Sequence, residues 1–423
     1  MKPADKEIII EAKRVLYSNL KVGYSRWAST DYKYVCPSRY NYPHQWFWDS
    51  CFHAIVLSHF DIELAKNEIT NLLKIQREDG FIPHMIFWQR GPFGLKGLLR
   101  PLESLPSLSP KTSQLIQPPL LAQAVEAIYK KDQDNKFLHE VLPKTAAYYK
   151  WLARERDPDS EGLISIIAPY ESGMDQSPSY DPVLGVKDGS AITAALAGRA
   201  VTFRNMIRSY NLKKMFEADY FNVKDVLVNS IYIKNLQILS RLLNEIDEEE
   251  EARHFHYLAA KAKETLIKKC YDRKDKIFYD LYGKEKNIAK VKTIKGLFPL
   301  ILDIPKSIAR DLVKKHLLNE DEFAFPFGIP TVAKNEISFS PAPVLIAKEP
   351  IIWRGPTWIN TNWYLIKALR HHGFKKEADK ITEKSVDLVK NGGFREFYNP
   401  YTGEGYGARD FGWSTLVVDL ILS

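Results

Sequence analysis

Apolar residues recur with the spacing of amphipathic helices along almost the whole chain, and this pattern limits the folds open to it. Between Asp61 and Gly80, for example, they fall on one stripe, with Asp61 placed as an N-cap and Gly80 as a stop. The same spacing predicts about a dozen helices, over residues 5–20, 45–59, 61–80, 118–130, 136–154, 191–210, 225–246, 250–270, 306–318, 357–370, 375–390 and 413–422.

Patterns typical of β-strands are scarce, and the apolar runs at 162–167 and 276–282 indicate small hairpin pieces at most. The sequence therefore predicts an all-α toroid or bundle. Neither a Gly/Ser-rich linker nor a change in composition divides the chain, so we expect a single domain over 1–423. A stretch rich in Gly, Pro and Ser at about 84–113 is too long for a simple connection between helices, and it predicts a lid or loop insertion beside a cleft.

The charge pattern argues against several classes of partner. The formal net charge of the 423 residues is +8, but Lys and Arg alternate with Asp and Glu along the amphipathic stretches, which indicates solvated helix faces and no nucleic-acid partner. No apolar run reaches the roughly 18 residues of a membrane span. Three unpaired cysteines suit a reducing compartment, so a cytoplasmic protein is expected. The sequence lacks the histidine and cysteine spacings that are typical of metal sites, and it lacks glycine-rich phosphate loops. We therefore expect no metal and no cofactor.

Two polar segments, 170–178 and 394–405, place carboxylates among aromatic residues and turn formers, where catalytic groups on loops are expected. Any one of these carboxylates can instead cap a helix, pair with an arginine or bind a structural ion. Two such segments suggest an acid and a base that work on opposite sides of one bond. The candidates are Glu171, Asp175 and Asp181 in the first region, and Glu396 and Glu404 in the second.

Two aromatic motifs, 42–50 and 353–363, interleave tryptophans with polar side chains. Flat aromatic faces beside hydrogen-bonding groups suit a sugar ring, although an aromatic core is the alternative for the same residues. Gln117 precedes a helix that begins with proline, where it either contacts a ligand or serves as a loop residue. The candidate sugar-contacting residues are Tyr42, Trp46, Trp48, Asp49, Gln117, Trp353 and Arg354.

In this order the motifs resemble glycoside hydrolase family 63, and within it the hydrolases of mannosylglycerate and glucosylglycerate. The resemblance covers about residues 40–415 and rests on QWFWDS (45–50), ESGMD (171–175), WRGPTW (353–358) and the segment 394–405 followed by FGWS (411–414). It implies an (α/α)6 barrel, a double helical toroid whose long inter-helix loops form the active-site cleft. It also implies an inverting α-glycosidase that acts on a small carbohydrate.

The resemblance further implies roles for single residues. Asp175 matches the general acid and Glu396 the general base, and Glu404 is a fallback base in the same segment as Glu396. The seven candidate sugar-contacting residues listed above match residues around the sugar subsite. Inversion requires the two carboxyl groups to stand roughly 6.5–9.5 Å apart. We expect burial to raise the pKa of Asp175, and Arg395 and Arg409 to keep Glu396 ionised.

An anionic glycerate group requires basic or hydroxyl-bearing side chains, for which Arg90, Lys111, Arg204, Arg208 and Lys224 are candidates. Three other functions remain open at this stage. They are an α-glucosidase or trehalase-like hydrolase of other α-glucosides, a sugar epimerase on a helical toroid, and a sugar-binding protein without turnover.

Overall fold

The computed structural model describes residues 3–89, 111–346 and 349–422, and helices dominate it. Each helix expected from periodicity is present, and most ends differ by a few residues. The prediction that Gly80 stops the helix after Asp61 is wrong, because that helix ends at Lys74 and Gly80 lies in the following turn, where its backbone N–H donates to the carbonyl of Arg77. The α-helices in the described ranges are α1 (Pro3–Ser18), α2 (Phe47–Leu57), α3 (Ile62–Lys74), α4 (Leu121–Asp132), α5 (Asn135–Glu155), α6 (Asp181–Leu184), α7 (Ala191–Ile207), α8 (Leu212–Ala218), α9 (Val226–Asn244), α10 (Glu249–Cys270), α11 (Lys306–Asp311), α12 (Ile359–His371), α13 (Lys375–Gly392) and α14 (Val417–Leu422).

Local chemistry sets several of these ends. Asp61 caps α3 as expected, since its side chain accepts a hydrogen bond from the backbone N–H of Leu64 at 3.0 Å. A π-helical turn (Leu312–Leu317) extends α11, and a 3₁₀ segment (Gly412–Leu416) leads into α14. Another 3₁₀ segment (Ile294–Ile301) lies between α10 and α11.

The strands are short and mostly form hairpins beside the helices. They are β1 (Leu20–Ser25), β2 (Thr30–Val35), β3 (Gln45–Trp46), β4 (Met85–Ile86), β5 (Val223–Lys224), β6 (Tyr271–Asp272), β7 (Ile277–Phe278), β8 (Asp280–Tyr282), β9 (Asn287–Ala289), β10 (Val344–Ile346), β11 (Glu349–Ile351), β12 (Arg395–Tyr398) and β13 (Gly405–Arg409). All pairings are antiparallel: β1–β2, β3–β4, β6–β7, β10–β11, β12–β13 and the three-stranded β5–β8–β9.

Two outcomes for the strands differ from expectation. The run at 276–282 contributes the strands β7 and β8, as expected. The run at 162–167 forms no named strand and makes a single isolated bridge, from Ile166 to Val223. The pairings β1–β2, β3–β4, β10–β11 and β12–β13 were not predicted. In β2, Tyr32 and Tyr34 are buried on alternate positions, which is the spacing of a half-buried strand.

Six helical elements contact one another in a closed ring. In order they are α2, α4, α9, the 294–301 segment, α12 and the 412–416 segment, which contacts α2 again. A second set packs against them from α1, α3, α5, α10, α13 and the turn after α11. Every residue of α2 is buried, whereas α13 buries one stripe, as expected for an inner and an outer helix.

The expected lid or loop insertion at 84–113 falls largely on residues 90–110, which lie outside the described ranges. Its two ends are described, and Ile86 bridges to Thr112 across them. None of the helices in the described ranges combines the length and the apolar character needed to cross a bilayer.

Candidate active site

A cavity of about 150 Å³ lies where the loops before α2, α4 and α12 meet, and both Asp175 and Glu396 line it. Most of the predicted sugar-contacting residues line it with them, namely Tyr42, Trp46, Trp48, Asp49, Gln117 and Trp353. Arg354 and Glu404 do not belong to the lining. The cavity thus joins segments from both ends of the chain.

Helix starts position several of these groups. Trp46 is the N-cap residue of α2, and Asp49 lies in the first turn of that helix. Gln117 precedes α4, and its Oε1 accepts a hydrogen bond from the backbone N–H of Trp48 at 3.0 Å. Trp358 is the N-cap residue of α12. The helix starts therefore direct the positive ends of their dipoles towards the cavity, which favours negative charge there.

Glu396 is held by two hydrogen bonds, one to each carboxylate oxygen. The Tyr42 hydroxyl donates to Oε1 at 2.9 Å, and the backbone N–H of Ala408 donates to Oε2 at 2.8 Å. Burial raises the pKa of Glu396, while the two hydrogen bonds and the charge of Arg395 oppose that rise. The expected effect of the neighbouring arginine is present, but burial outweighs it.

Gly407 makes room for this carboxylate. Its φ of 66° lies in the left-handed region, and a Cβ atom at this position would meet Glu396 Oε2 at 2.5 Å. The hairpin β12–β13 therefore requires glycine opposite Glu396.

Asp175 lies on the loop between two 3₁₀ turns, Pro169–Ser172 and Pro178–Tyr180. Gly173, with φ of 68°, brings this loop against the Trp48 ring, because a Cβ atom would lie 2.5 Å from the indole carbons. The loop that carries Asp175 thus rests directly on an aromatic side chain of the cavity wall.

The other two carboxylates of this region are engaged elsewhere. Glu171 is fully buried and accepts hydrogen bonds from Arg156 Nη1 and Nη2 at 2.8 and 2.6 Å, and from the backbone N–H groups of Ile116 and Ile167 at 3.0 and 2.8 Å. Asp181 pairs with Arg354, whose Nη1 lies 3.0 Å from Oδ1. Of the three candidates, Asp175 is the one that lines the cavity.

Arg354 was expected at the sugar subsite, but it does not line the cavity. Its guanidinium is 2% exposed and donates to Asp181, to the carbonyl of Gln176 at 3.1 Å and to the carbonyl of Gly189 at 2.9 Å. A buried guanidinium requires such partners, and they tie the segment after Asp175 to the segment before α12.

Glu404 also lies away from the cavity. It is exposed in the turn between β12 and β13, where it accepts a hydrogen bond from the Tyr406 hydroxyl at 2.9 Å. This leaves Glu396 as the carboxylate of its segment that faces the cavity.

Three carboxylates act on the Tyr42 hydroxyl. Burial raises the pKa of Tyr42 well above its ordinary value, and the charges of Glu396, Asp175 and Asp49 raise it further, in that order. Burial also raises the pKa of Asp49, with Glu396 contributing. Burial and the neighbouring carboxylates therefore both favour the protonated forms of Tyr42 and Asp49.

Three buried polar atoms of the cavity residues have no hydrogen-bond partner in the described part of the chain, namely Asp49 Oδ1, Trp46 Nε1 and Trp358 Nε1. The carboxyl oxygen is an acceptor, and the two indole nitrogens are donors. Because buried polar atoms are normally paired, they are suited to the hydroxyl groups of a bound molecule.

The remaining wall is aromatic. Trp353 stacks on Trp358 with ring centres 3.5 Å apart and planes 8° apart, and Trp48 meets Trp413 edge-on at 5.3 Å. Trp358 and His84 were not among the candidate site residues from the sequence, yet both line the cavity. His84 gave no separate signal, because β3–β4 pairing is what brings it to Trp46, with ring centres 5.3 Å apart.

A buried lysine, Lys295, contacts residues that follow Asp175 in the chain. Lys295 Nζ lies 2.6 Å from Asp225 Oδ2 and 2.9 Å from Ser179 Oγ, and 3.6 Å from the centre of the Tyr180 ring. Burial, together with the charge of Asp225, raises the pKa of the nearby Asp280 to about 6. Ser179 and Tyr180 are thereby anchored four and five positions beyond Asp175.

Four of the five basic residues considered for an anionic leaving group are described, and these four do not line this cavity. Arg204 and Arg208 lie over the ring of Tyr220, Lys224 pairs with Asp159, and Lys111 lies over Trp27. Arg90 lies outside the described residues. Within the described ranges, His, Cys, Asp and Glu side chains do not gather in threes as a metal site would require.

The Arg156–Glu171 pair yields a stability prediction. We expect Glu171→Gln to lower the free energy of unfolding by about 3–5 kcal/mol, because it leaves the buried guanidinium without its charge partner. Urea denaturation followed by circular dichroism measures the change. Glu249→Gln is the matched control, since it removes the exposed partner of Arg253. Equal midpoints for the two variants would contradict a structural role for Glu171.

Comparison with known proteins agrees with this site. Residues 42–414 match the family model described as the mannosylglycerate hydrolase MGH1-like glycoside hydrolase domain. A mannosylglycerate hydrolase of Rubrobacter radiotolerans is 28% identical, over 99% of this chain and 98% of its own length. A glucosylglycerate hydrolase of Mycolicibacterium hassiacum is 26% identical, over 89% of this chain and 91% of its own.

Among solved structures, a mannosylglycerate hydrolase of family 63 from Thermus thermophilus, in complex with Tris and D-glycerate, superposes with a TM-score of 0.84. It is 26% identical and covers 98% of this chain and 100% of its own. The matched region includes each of the cavity residues named above. The chain belongs to the MGH1-like glycoside hydrolases of family 63 and is a glycoside hydrolase.

Proposed function

We propose that this enzyme is an inverting α-glycosidase whose substrate is mannosylglycerate or glucosylglycerate. The observation that carries the proposal is that Asp175 and Glu396 line the same cavity. The other candidate carboxylates do not, because Glu171 and Asp181 are bound by arginines and Glu404 is exposed. The activities named for its relatives from Rubrobacter and Mycolicibacterium support the choice of substrate.

In this mechanism Asp175 is the general acid and Glu396 the general base. Asp175 gives its proton to the glycosidic oxygen as the bond from that oxygen to the anomeric carbon breaks. Glu396 takes a proton from a water molecule that attacks the opposite face of the same carbon. The carboxyl groups are proposed to stand about 6.5–9.5 Å apart, which leaves room for that water.

The cavity walls supply binding and orientation. Trp353 and Trp48 offer aromatic carbon to the C–H face of a sugar ring, and Asp49 Oδ1 and Trp46 Nε1 are available to its hydroxyl groups. Tyr42 and Ala408 keep the Glu396 carboxylate in place, so that it does not reorient when the water loses its proton.

We also propose that the chain is one catalytic domain with an (α/α)6 architecture and a cytoplasmic location. The closed ring of six helical elements, with a second set outside it, supports that architecture. A hydrophobic cluster that runs from Ile8 to Leu420 supports a single domain. The free, buried thiols of Cys36, Cys51 and Cys270 suit a reducing compartment.

Glycosyl fluorides separate the two catalytic roles, since fluoride leaves without being protonated. We expect Asp175→Asn to lower kcat on the glycerate glycoside by about 10²–10⁴-fold and to hydrolyse the α-glycosyl fluoride at close to the wild-type rate. Glu396→Gln should lose both activities, because both reactions need the water to be activated.

Glu404→Gln, which changes the exposed carboxylate of the same segment, is the control and should keep both activities. Near-normal turnover of the glycoside by Asp175→Asn or Glu396→Gln would remove that residue from its role. An Asp175→Asn enzyme that fails equally on the fluoride would contradict the assignment of the acid.

The Tyr42 hydrogen bond predicts a pH effect. It favours the ionised form of Glu396, so Tyr42→Phe raises the pKa of Glu396 further. The base must be deprotonated, and activity is lost as the pH falls through this pKa. The acid limb of the kcat/KM profile should therefore lie above the ordinary glutamate value of 4.5 in the wild type, and at still higher pH in Tyr42→Phe.

Tyr40→Phe, two positions away at a residue that is 88% exposed, should leave the profile unchanged. An acid limb that stays in place in Tyr42→Phe would show that this hydrogen bond does not tune the base.

A substrate panel tests the proposed specificity. We expect kcat/KM for mannosylglycerate or glucosylglycerate to exceed that for trehalose and short α-glucans by at least about tenfold. Preference for trehalose or the glucans would replace the proposal with a trehalase-like or other α-glucosidase activity. Exchange of a sugar C–H proton without hydrolysis would indicate an epimerase, and binding without any turnover a sugar-binding protein.

A further inference from the structure

A second cavity, of about 450 Å³, lies at the opposite ends of helices that contribute to the active site. Asp49 stands in the first turn of α2, whereas Ile55 and His59, at and just after the end of that helix, line the second cavity. Likewise, α12 begins after Trp358 and reaches the second cavity with its last turn. A helix of 13 residues spans about 20 Å, so the two cavities are distinct.

The charges of this lining are unbalanced. Five lysine and arginine side chains face two carboxylates, Glu126 and Asp419. The cations are Lys130, Lys131, Lys234, Arg241 and Lys367, and the histidines His59 and His371 lie beside them.

Both carboxylates are already engaged by other members of the lining. Glu126 lies 2.7 Å from Arg241 and 2.9 Å from Lys130. Asp419 lies 2.8 Å from both His59 and Lys367, and these partners hold its pKa well below the ordinary value, although burial acts in the other direction. Each lining carboxylate is therefore already paired with two other side chains, and neither forms an ion pair with Lys234 or Lys131.

Lys234 is the surplus cation. It is half-buried in the middle of α9, and among the described residues it forms no ion pair with an acidic side chain. Burial lowers its pKa and the positive charges of Arg241 and Lys130 lower it further, whereas the charges of Asp303 and Glu126, which form no ion pair with it, act in the opposite direction. Lys130 and Arg241 lie in the last turns of their helices, where a positive charge is stabilised by the helix dipole. Lys234 lies in the middle of α9, so the helix dipole does not stabilise its charge in this way.

The rest of the lining suits the organic part of an anion. Ile55, Ile238 and Ile301 provide apolar surface, and the volume falls in the usual range for small-molecule sites. Lys131 also lines this cavity and is exposed, so it lies at the rim. Like Lys234, it has no ion-pair partner in the described ranges. Two free positive charges match a dianion, and lysine is a common phosphate ligand.

We propose that this cavity is a second binding site, which takes a small organic phosphate dianion between Lys234 and Lys131. The phosphate group replaces the missing acidic partner of Lys234, and the apolar surface accommodates the attached organic group. The site is independent of the glycosidase reaction, because it shares no lining residue with the cavity of Asp175 and Glu396.

Phenyl phosphate is a suitable probe because it is not a sugar and is unsuited to the active site. Isothermal titration of the full-length protein at low ionic strength should give a 1:1 complex, with tighter binding than inorganic phosphate, and the melting temperature should rise with probe concentration. Lys234→Met should weaken binding by roughly tenfold or more, since it removes a charge-assisted contact. Lys131→Met should weaken it as well, and provides a second variant should Lys234→Met fold poorly.

Lys274→Met is the matched control, since it removes the same charge from an exposed lysine outside the cavity and should leave binding unchanged. Asp175→Asn should also bind phenyl phosphate as the wild type does. Unchanged binding in both Lys234→Met and Lys131→Met would overturn the proposal. So would equally tight binding of phthalate, a dicarboxylate of similar size, or loss of binding in Asp175→Asn.

Discussion

Two buried arginines fix the segment that carries Asp175, and the active site depends on them. Arg156 holds Glu171 on one side of the loop, and Arg354 holds Asp181 on the other. Each pair is so deeply buried that separating it would leave an uncompensated charge inside the protein, at a cost of several kcal/mol. Because both neighbouring carboxylates are committed in this way, the loop between them presents Asp175 to the cavity.

Burial and its compensation also determine how Glu396 is held. Burial raises the free energy of ionised Glu396, and the hydrogen bonds from Tyr42 and Ala408 offset part of that cost. Gly407 permits the close approach that these bonds require. The unpaired polar atoms of Asp49 and Trp46 are costly in the folded protein, as expected where binding energy is reserved for a ligand.

Helix periodicity alone predicted the helices well, since amphipathic stripes are encoded within about 15 consecutive residues. The choice among Glu171, Asp175 and Asp181 did not follow from the residues, because the deciding arginines lie 15 positions from Glu171 and 173 positions from Asp181. The family resemblance selected Asp175, and the ion pairs now supply a physical reason for it. Arg354 was predicted to contact the sugar because it lies in an aromatic sequence motif. In the structure its guanidinium instead donates hydrogen bonds to Asp181 and to the backbone carbonyl groups of Gln176 and Gly189. His84 was missed because a long-range strand pairing brings it to the cavity.

The central claim is that Asp175 and Glu396 act on opposite faces of one anomeric carbon. Proton NMR of the reaction in its first minutes, before mutarotation, identifies the anomer that the enzyme releases. With an α-linked glycerate glycoside as substrate, the account predicts that the β-anomer of the free sugar appears first. Initial release of the α-anomer would mean retention through a covalent intermediate, and would contradict the assignment of Glu396 as a base that activates water.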